Sequence, residues 1–337
     1  MSRKPTIHDV ARKAGVSIAT VSYVINGSRA VGAERRGRIE QAIAELGYFR
    51  NGLAQSLKSE TSRVIGVSLP YAASAYFHGL MEALEDIAES EGFEILQILS
   101  RQDPERELRR IETLLAHRVA GLIMVPSYDP HRTFDLLHRS RAPVVMVDRL
   151  WPDDRFDYVT MNNREAMTGV VDALIGLGHR ALLFTARFPN LITTQQRIEA
   201  FKAAGGDARV EFLLTGDDEE TFGARLIERL RRPLPPTALI ASNSIITLWA
   251  LKALQAAGVS CPDDLSIVSF DEPVWADVLT PPLSIIRHPT RVIAEAAWGL
   301  LTERIEEARA GELGRRKTRH LEFSATLELR GSVTRLA

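Results

Sequence analysis

The strongest constraint on the fold is an alternation of short apolar runs with amphipathic helical segments along most of the chain. The predicted strands are runs rich in Val, Ile and Leu at 64–69, 93–99, 119–125, 144–147, 181–185, 210–214, 238–241 and 265–270. Segments with helical spacing separate them, the first at about 77–91. Strands that alternate with helices form parallel sheets covered by helices on both faces. The series is too long for one sheet and predicts two similar α/β subdomains, with a ligand cleft where the carboxyl ends of their strands face each other.

The first 50 residues lack this alternation and predict three short helices instead. Thr6 can cap the first helix in a capping box, and Gly15 ends that helix. Ser17 can cap the second helix, which we expect at about 18–25, and the third is expected at about 34–46. Two helices joined by a three-residue turn with a glycine form a helix-turn-helix, whose second helix enters the major groove of DNA. Spacing alone leaves a generic three-helix bundle as the alternative.

Exposed and short polar side chains around the second helix predict contacts to DNA. Contacts to phosphates set the register of the protein, and contacts to base edges set its sequence preference. An apolar contact of Ile18 or Ala19 with a thymine methyl group fits this position. The predicted DNA-contacting residues of this head are Thr6, Ser17, Ile18, Ala19, Thr20, Ser22, Tyr23 and Asn26.

The charges are distributed unevenly between this head and the rest of the chain. Residues 1–60 contain ten Lys and Arg against five Asp and Glu, so they carry a charge of +5. Residues 61–337 contain 32 Lys and Arg against 38 Asp and Glu, which brings the whole chain to −1. A basic head on an acidic body predicts an anionic partner for the head, with a solvated charged face as the alternative.

The segment TIHDVARKAGVSIATVSYVING at 6–27 resembles the start of the lactose/galactose repressor (LacI/GalR) family, and the likeness continues through AIAELGY at 42–48. Stretches similar to the sensor domain of that family lie at 75–77, 143–149, 177–180, 262–271 and 279–284. The resemblance implies a DNA-binding transcriptional repressor of carbohydrate metabolism, controlled allosterically by a small molecule. The implied partners are palindromic double-stranded operator DNA, a small-molecule effector and a second copy of the chain, with no cofactor and no membrane.

The resemblance also implies how the chain is divided. The fold class is a small all-α helix-turn-helix head plus an α/β body, made of two parallel-sheet subdomains of the periplasmic-binding-protein type. The predicted domains are 1–50 for the head (motif at about 7–26), 51–60 for a hinge helix, 62–161 plus 290–320 for the N-terminal effector subdomain, and 162–289 plus 321–337 for the C-terminal one.

The segment 51–60 resembles the hinge helix of the family. Leu57 matches the leucine that wedges into a central base step of the minor groove, and Lys58 follows it. So short a helix is unstable alone and should order when DNA and a second subunit pack against it. The wedge uses unstacking energy to bend the DNA and enlarge the contact.

Eight residues match family positions that line the effector cleft, and aromatic rings among them suit the apolar face of a sugar or base. They are Tyr76, Phe77, Arg149, Asn162, Arg197, Asn243, Asp271 and Trp275. Asn162 and Ser244 stand where the family usually carries acids, while Arg149 and Arg197 are present. Because arginine pairs bidentately with carboxylate or phosphate, we predict a sugar acid or sugar phosphate as effector. A regulator that has lost its effector is the alternative.

No motif predicts an enzyme or a metal site. The chain has no dinucleotide fingerprint after its first strand, no Walker-type loop and no His-Glu-x-x-His. Its single cysteine, Cys261, excludes an internal disulfide and a cysteine-based zinc site, and we interpret it as a loop or core thiol. The acidic segment 217–220 indicates a charged helix N-terminus.

Two other classes of protein remain as alternatives, a transport protein and an enzyme. Polar residues at the start of the chain predict that there is no export signal, and therefore a cytoplasmic protein. A sugar-binding transport protein would share the body but would need an export signal and would lack the basic head. A sugar-processing α/β enzyme would need a catalytic constellation.

Overall fold

The computed structural model describes residues 5–26, 29–48, 62–72, 74–214 and 218–336. The chain forms two compact units, a head over Met1–Ser62 and a body over Arg63–Ala337. The head contains three helices, α1 (Ile7–Ala14), α2 (Ile18–Asn26) and α3 (Ala33–Leu46). The predicted hinge at 51–60, with Leu57 and Lys58, lies outside the described residues, as does the side chain of Asn26.

The described part of the body contains twelve strands and eight helices, which alternate over most of its length. The strands are β1 (Val64–Leu69), β2 (Glu94–Leu99), β3 (Gly121–Met124), β4 (Val144–Val147), β5 (Asp157–Met161), β6 (Ala181–Ala186), β7 (Arg209–Leu214), β8 (Ala238–Ala241), β9 (Ser266–Phe270), β10 (Ser284–Arg287), β11 (His320–Phe323) and β12 (Thr326–Glu328). The helices are α4 (Ala75–Ser90), α5 (Pro104–Ala116), α6 (His131–Ser140), α7 (Asn163–Gly176), α8 (Ile192–Ala204), α9 (Glu219–Arg231), α10 (Ser244–Ala257) and α11 (Thr290–Arg309).

The strands form two six-stranded sheets, as the length of the alternating series predicts. The first has the order β11-β5-β4-β3-β1-β2 and is parallel throughout. The second has the order β12-β10-β9-β8-β6-β7, and only its edge strand β12 runs antiparallel. Every residue of β3, β4, β8 and β9 is buried, because helices cover both faces of a sheet of this kind.

Local sequence signals set where several helices begin. Asp103 caps α5 through its Oδ1 atom, which accepts hydrogen bonds from the backbone N–H groups of Glu105 (2.9 Å) and Arg106 (3.0 Å). Pro104 takes the first helical position, where its missing N–H has no consequence. Asp218 caps α9 in the same way by accepting from Thr221 N at 2.8 Å, so residues 218–220 of the acidic segment begin a helix, as predicted.

The chain crosses from one sheet to the other three times, and each crossing is called a passage below. The position of the third passage corrects a predicted domain boundary. The first two passages follow β5 and β10, since α7 packs on the second sheet and α11 on the first. We predicted that the third would fall at residue 321. Leu321 instead pairs with Val159 inside the first sheet, and the passage lies between Phe323 and Thr326. The C-terminal segment therefore contributes one edge strand to each sheet.

No helix in the described ranges is both long and apolar enough to span a membrane.

Candidate DNA-binding face and effector cleft

The start of the head is fixed by the predicted cap. Thr6 donates two hydrogen bonds to Asp9 Oδ2, from its backbone N over 2.9 Å and from its hydroxyl over 2.7 Å. Gly15 adopts a φ of 65°, in the left-handed region that glycine occupies without strain, and so ends α1. Ser17 Oγ accepts from Thr20 N at 3.2 Å at the start of α2. The three-residue connection of a helix-turn-helix is therefore present.

A small apolar core holds the three helices of the head together. Its buried members are Val10, Ala11, Ala14, Val21, Ile39 and Ala42. On α2, Val21 is fully buried, whereas Ile18 keeps 41% and Tyr23 36% of its surface exposed. The Arg29 guanidinium carbon lies 5.9 Å from the Tyr23 ring centroid, and the exposed parts of Ile18 and Tyr23 form an apolar surface on α2.

The other predicted DNA-contacting residues lie around the same end of α2. Ser17 and Ala19 are exposed, and Thr20 and Ser22 are half-buried. The hydroxyls of Ser17 and Thr20 are 2.8 Å apart. Thr6 lies at the start of α1, where its side chain is engaged with Asp9.

In the body, a cleft lies between the two sheets, bordered by the carboxyl ends of their strands. The first subdomain contributes Tyr71, Ser74, Tyr76, Phe77, Gln102, Asp148 and Arg149, and the second contributes Arg187, Phe188, Leu191, Thr193, Thr194, Arg197, Ser242, Asn243, Ile245, Asp271 and His288. Six of the eight predicted effector residues are therefore brought together in one place, which is the position that the strand ends of α/β sheets favour for ligands.

Arg149 is buried and largely committed to its own subdomain. Its Nη1 atom donates to Gln102 Oε1 over 2.9 Å and to the carbonyl of Pro126. Its Nε atom lies 3.4 Å from Asp148 Oδ2 but has no hydrogen-bond partner among the described residues. Burial lowers the pKa of Arg149 and raises that of Asp148, and the attraction between the two charges opposes both shifts.

Arg197 is committed to the second subdomain and to the first passage between the sheets. Nε donates to Asn163 Oδ1 over 2.8 Å, and Nη1 donates to Ser242 O over 2.8 Å. The guanidinium carbon lies 3.9 Å from the centroid of the Phe270 ring. Burial lowers the pKa of Arg197 to about 10, so the group remains charged at neutral pH.

Asp271 and His288 close the cleft at the ends of β9 and β10. His288 Nε2 lies 3.1 Å from Asp271 Oδ1, without the geometry of a hydrogen bond. Asp271 Oδ2 accepts from Ser244 N at 3.3 Å, so this carboxylate also meets the start of α10. The imidazole packs on the ring of Tyr76 with 4.4 Å between centroids.

Two predicted effector residues lie outside the cleft. Asn162 caps α7, where its Oδ1 atom accepts from Glu165 N at 3.0 Å, and it lines a different surface groove. Its neighbour Asn163 is the residue that reaches the cleft arginine, Arg197. Trp275 packs against the apolar cluster of the second subdomain and does not line the cleft.

The sequence reasoning missed several cleft residues that share one signal. Tyr71, Gln102, Arg187, Ser242 and His288 all follow a strand within about three residues. The rule that ligands bind at the carboxyl ends of parallel strands therefore identifies them, once the strands are placed.

The described residues contain no group of three or more His, Cys, Asp and Glu side chains arranged to hold a metal ion. Cys261 is half-buried, and burial raises the pKa of its thiol to about 11. The thiolate is therefore scarce at neutral pH, which agrees with the interpretation of Cys261 as a packing residue.

Comparisons with known proteins match two separate segments of the chain. Residues 6–51 match the model of the bacterial regulatory proteins of the lacI family, and residues 171–333 match that of the periplasmic binding protein-like domain. The chain is 30% identical over 312 residues to the HTH-type transcriptional repressor PurR of Aliivibrio fischeri (strain MJ11), covering 90% of this chain and 92% of that one. It is 29% identical over 304 residues to catabolite control protein A of Priestia megaterium, covering 88% and 92%.

Among solved structures, the lac repressor dimer bound to operator and the anti-inducer ONPF has the same fold. The TM-score is 0.79 at 24% identity, and the match covers 98% of this chain and all of that one.

A helix-turn-helix head joined to a two-subdomain body with a ligand cleft defines a DNA-binding transcriptional regulator with a domain for a small-molecule effector. The chain belongs to the lacI family of bacterial regulatory proteins. A transport protein, the alternative based on the body alone, does not account for the head.

Proposed function

We propose that this regulator is a repressor whose effector is a small polyhydroxylated molecule of the sugar class, bound in the cleft. The observation that carries the proposal is a set of buried polar atoms on cleft residues that lack partners in the described structure. They are the Tyr76 hydroxyl, Nε of Arg149, Nε of Arg187 and Nδ1 of His288. Each such group costs about 1–3 kcal/mol if it stays unsatisfied, and a ligand with several hydroxyls would satisfy them together.

The aromatic side chains of the cleft support the same class of ligand. The rings of Tyr76 and Phe77 lie 5.0 Å apart between centroids and form one wall of the cleft. Aromatic side chains beside unsatisfied donors suit a ligand ring with an apolar face and polar edges. The departure at Asn162 does not argue for a lost effector, because Asn162 lies outside the cleft.

The ligand would act through the passages between the two subdomains. A molecule that contacts both of them stabilises one relative arrangement, and it can change operator affinity only by binding that arrangement better. The linkage is reciprocal, so operator DNA must change effector affinity by the same factor. We propose that the regulator acts in the cytoplasm as a homodimer, which places two heads on the matching half-sites of a palindromic operator.

We assign DNA contacts in the head by position on α2. Ile18, Ala19, Ser22 and Tyr23 contact base edges, with Ile18 and Tyr23 as the exposed apolar members. Ser17, Thr20 and Asn26 contact phosphates, whereas Thr6, predicted to do so as well, uses both of its donors on Asp9 and fixes the start of α1. Leu57 and Lys58, assigned from the family resemblance, contact the minor groove, so Leu57→Ala should weaken operator binding and spare effector binding.

Two measurements on the full-length protein test the proposal. Fluorescence anisotropy with duplexes from the promoter regions beside its gene should show binding that weakens steeply with salt. A thermal-shift screen of pentoses, hexoses and their derivatives should find a compound that raises Tm by mass action, and that compound should change the operator Kd. Absence of salt-sensitive duplex binding would contradict the assignment of the head. A screen in which no sugar-class compound shifts Tm would contradict the proposed effector.

A further inference from the structure

The cleft contains a third arginine, Arg187, whose situation differs from that of Arg149 and Arg197. Arg187 follows β6 directly and lines the cleft. Arg187, like Arg197, has no ion pair with a carboxylate in the described part of the chain, but unlike Arg197 it donates no hydrogen bond there, and its buried Nε atom has no partner. The other two arginines donate to protein oxygen atoms. Arg187 is therefore the cleft arginine whose hydrogen-bonding capacity is not used by the described residues.

The surroundings of Arg187 orient it without using its donors. The guanidinium carbon lies 4.9 Å from the ring centroid of Phe188 and 5.4 Å from that of Trp249. Phe188 in turn stacks on Tyr71 of the opposite subdomain, with 6.2 Å between centroids. Contacts of a guanidinium with aromatic rings do not use its N–H donors, so the donors of Arg187 stay without partners among the described residues.

The charge balance of the cleft leaves a positive excess. Its lining residues include three arginines but only two aspartates. Asp148 lies 3.4 Å from Arg149, and Asp271 lies 3.1 Å from His288. A partly buried guanidinium without a counter-charge is unfavourable, and a carboxylate or phosphate can pair with it through two parallel hydrogen bonds.

The start of helix α8, in the same subdomain as Arg187, also favours an anionic ligand. α8 begins beside the cleft, and its N-cap residue, Leu191, provides no side-chain hydrogen bond to the first turn. The side chains of Thr193 and Thr194 on that turn line the cleft. The free N–H groups and the positive end of the helix dipole favour an anion, although the helix start alone would not define a site.

We infer that the effector carries a carboxylate or phosphate group and that Arg187, assisted by the start of α8, binds it. This inference rests on the proposed sugar-class effector and specifies its charge. It also revises the expectation from sequence, in which Arg149 and Arg197 were to bind the anion. Arg149 and Arg197 hold the walls of the cleft in place through their hydrogen bonds to protein oxygen atoms, and Arg187 gives the cleft its preference for an anionic ligand.

The test compares charged and neutral ligands on the full-length protein and its variants. Thermal shift and calorimetry are run with aldonates, uronates and aldose phosphates of five and six carbons, each beside its neutral parent sugar and alditol. We expect an anionic member to bind at least about 10-fold more tightly than its neutral parent, since a charge-assisted hydrogen bond contributes about 1.5–3 kcal/mol. Comparison of the carboxylate and phosphate series shows which anion is selected.

Arg187→Gln should remove this preference, and Arg187→Lys should retain part of it. Arg225→Gln removes the same charge from an exposed position on α9 and should leave ligand affinity unchanged. Thermal unfolding of each variant without ligand verifies that its body is folded.

Tighter binding of a neutral sugar, or a preference for the anion that persists in Arg187→Gln, would overturn the inference while leaving the proposed function in place. Failure of every compound to bind would overturn both.

Discussion

Arg197 in the cleft donates a hydrogen bond from Nε to Oδ1 of Asn163, 2.8 Å away, at the first passage between the two subdomains. Asn163 is the first residue of α7, two positions after β5 ends. Its side-chain amide also donates to Gln196 Oε1 over 3.1 Å and to Met161 O over 3.3 Å. One side chain thus connects the end of a strand in the first sheet to the cleft face of α8. A ligand that contacts Arg197 therefore acts directly on a passage between the subdomains.

Asn163→Ala should weaken effector binding by about 10-fold, because Arg197 would lose the partner that holds Nε in place. Operator binding in the absence of effector should remain. The matched control is Asn162→Ala, which removes only the cap of α7 and should lower the free energy of unfolding by about 1 kcal/mol. Calorimetry and urea unfolding on both variants check this pair of expectations. Equal effector affinity in the two variants would contradict a positioning role for Asn163.

Replacement of Asp157 should cause one of the largest losses of unfolding free energy among single substitutions in the body. It accepts hydrogen bonds from Arg304 Nε (2.7 Å), Arg316 Nη2 (2.9 Å) and Arg319 N (2.6 Å). Burial raises the pKa of Asp157, but the bonds from the two arginine side chains outweigh it and lower the pKa overall. Asp157→Ala leaves the buried guanidinium of Arg304 uncompensated and should cost about 3–5 kcal/mol.

The control for Asp157 is an exposed ion pair in the same subdomain. Arg291 Nε lies 3.1 Å from Glu295 Oε1, and both side chains are more than half exposed. Glu295→Ala should therefore change the free energy of unfolding by less than about 1 kcal/mol. Urea unfolding measures both variants. A similar loss of unfolding free energy in Asp157→Ala and Glu295→Ala would contradict the claim that burial makes the Asp157 ion pairs more important.

The stability of the body should fall as pH rises from about 5 to 8, through Glu107. This carboxyl is fully buried and accepts from Ser127 N at 2.6 Å and from Ser127 Oγ at 3.0 Å. Burial raises the pKa of Glu107 from 4.5 to about 7, although the bonds from Ser127 oppose the shift. The stabilising contribution of the protonated form is complete below pH 4.5 and is lost as pH rises through 7.

Glu107→Gln should remove this pH dependence. Relative to the wild type, the free energy of unfolding of the variant should rise by up to about 3 kcal/mol between pH 4.5 and 8. Glu105→Gln, on the exposed side of the same helix, is the control and should leave the pH dependence intact. Unfolding midpoints measured across this pH range test the role of Glu107. The same pH dependence of the midpoint in the wild type and in Glu107→Gln would refute it.

Ile18→Ala and Tyr23→Ala should each reduce operator affinity by about 10-fold without destabilising the head, because both side chains are exposed on α2. Ile39→Ala removes a fully buried side chain from the head and should instead cost about 2–5 kcal/mol of stability. Anisotropy on a duplex selected from a random-sequence library measures the affinity, and thermal unfolding measures the stability. Unchanged affinity and unchanged sequence preference in both exposed-residue variants would remove them from the interface.

The apolar alternation predicted most of the body but overlooked β5 and β10. β5 contains the buried polar residues Asp157 and Thr160, and β10 is only four residues long, so neither forms a distinct apolar run. Both are strands because neighbours pair with them on each side. The C-terminal segment posed a similar difficulty. Residues 320–328 form β11 and β12, which lie in two different sheets, and no local pattern distinguishes the two strands.

The sequence by itself determined the three helices of the head, the α/β class of the body and the position of the cleft at the strand ends. These features depend on capping residues and hydrophobic periodicity, which act over a few neighbouring residues. Only the tertiary structure decided which side chains meet in the cleft. Asn162 and Asn163 are adjacent, yet one caps a helix and the other bonds to Arg197. Arg187 and His288 are 101 positions apart, yet they line the same cleft, because parallel strands from distant parts of the chain end at one edge.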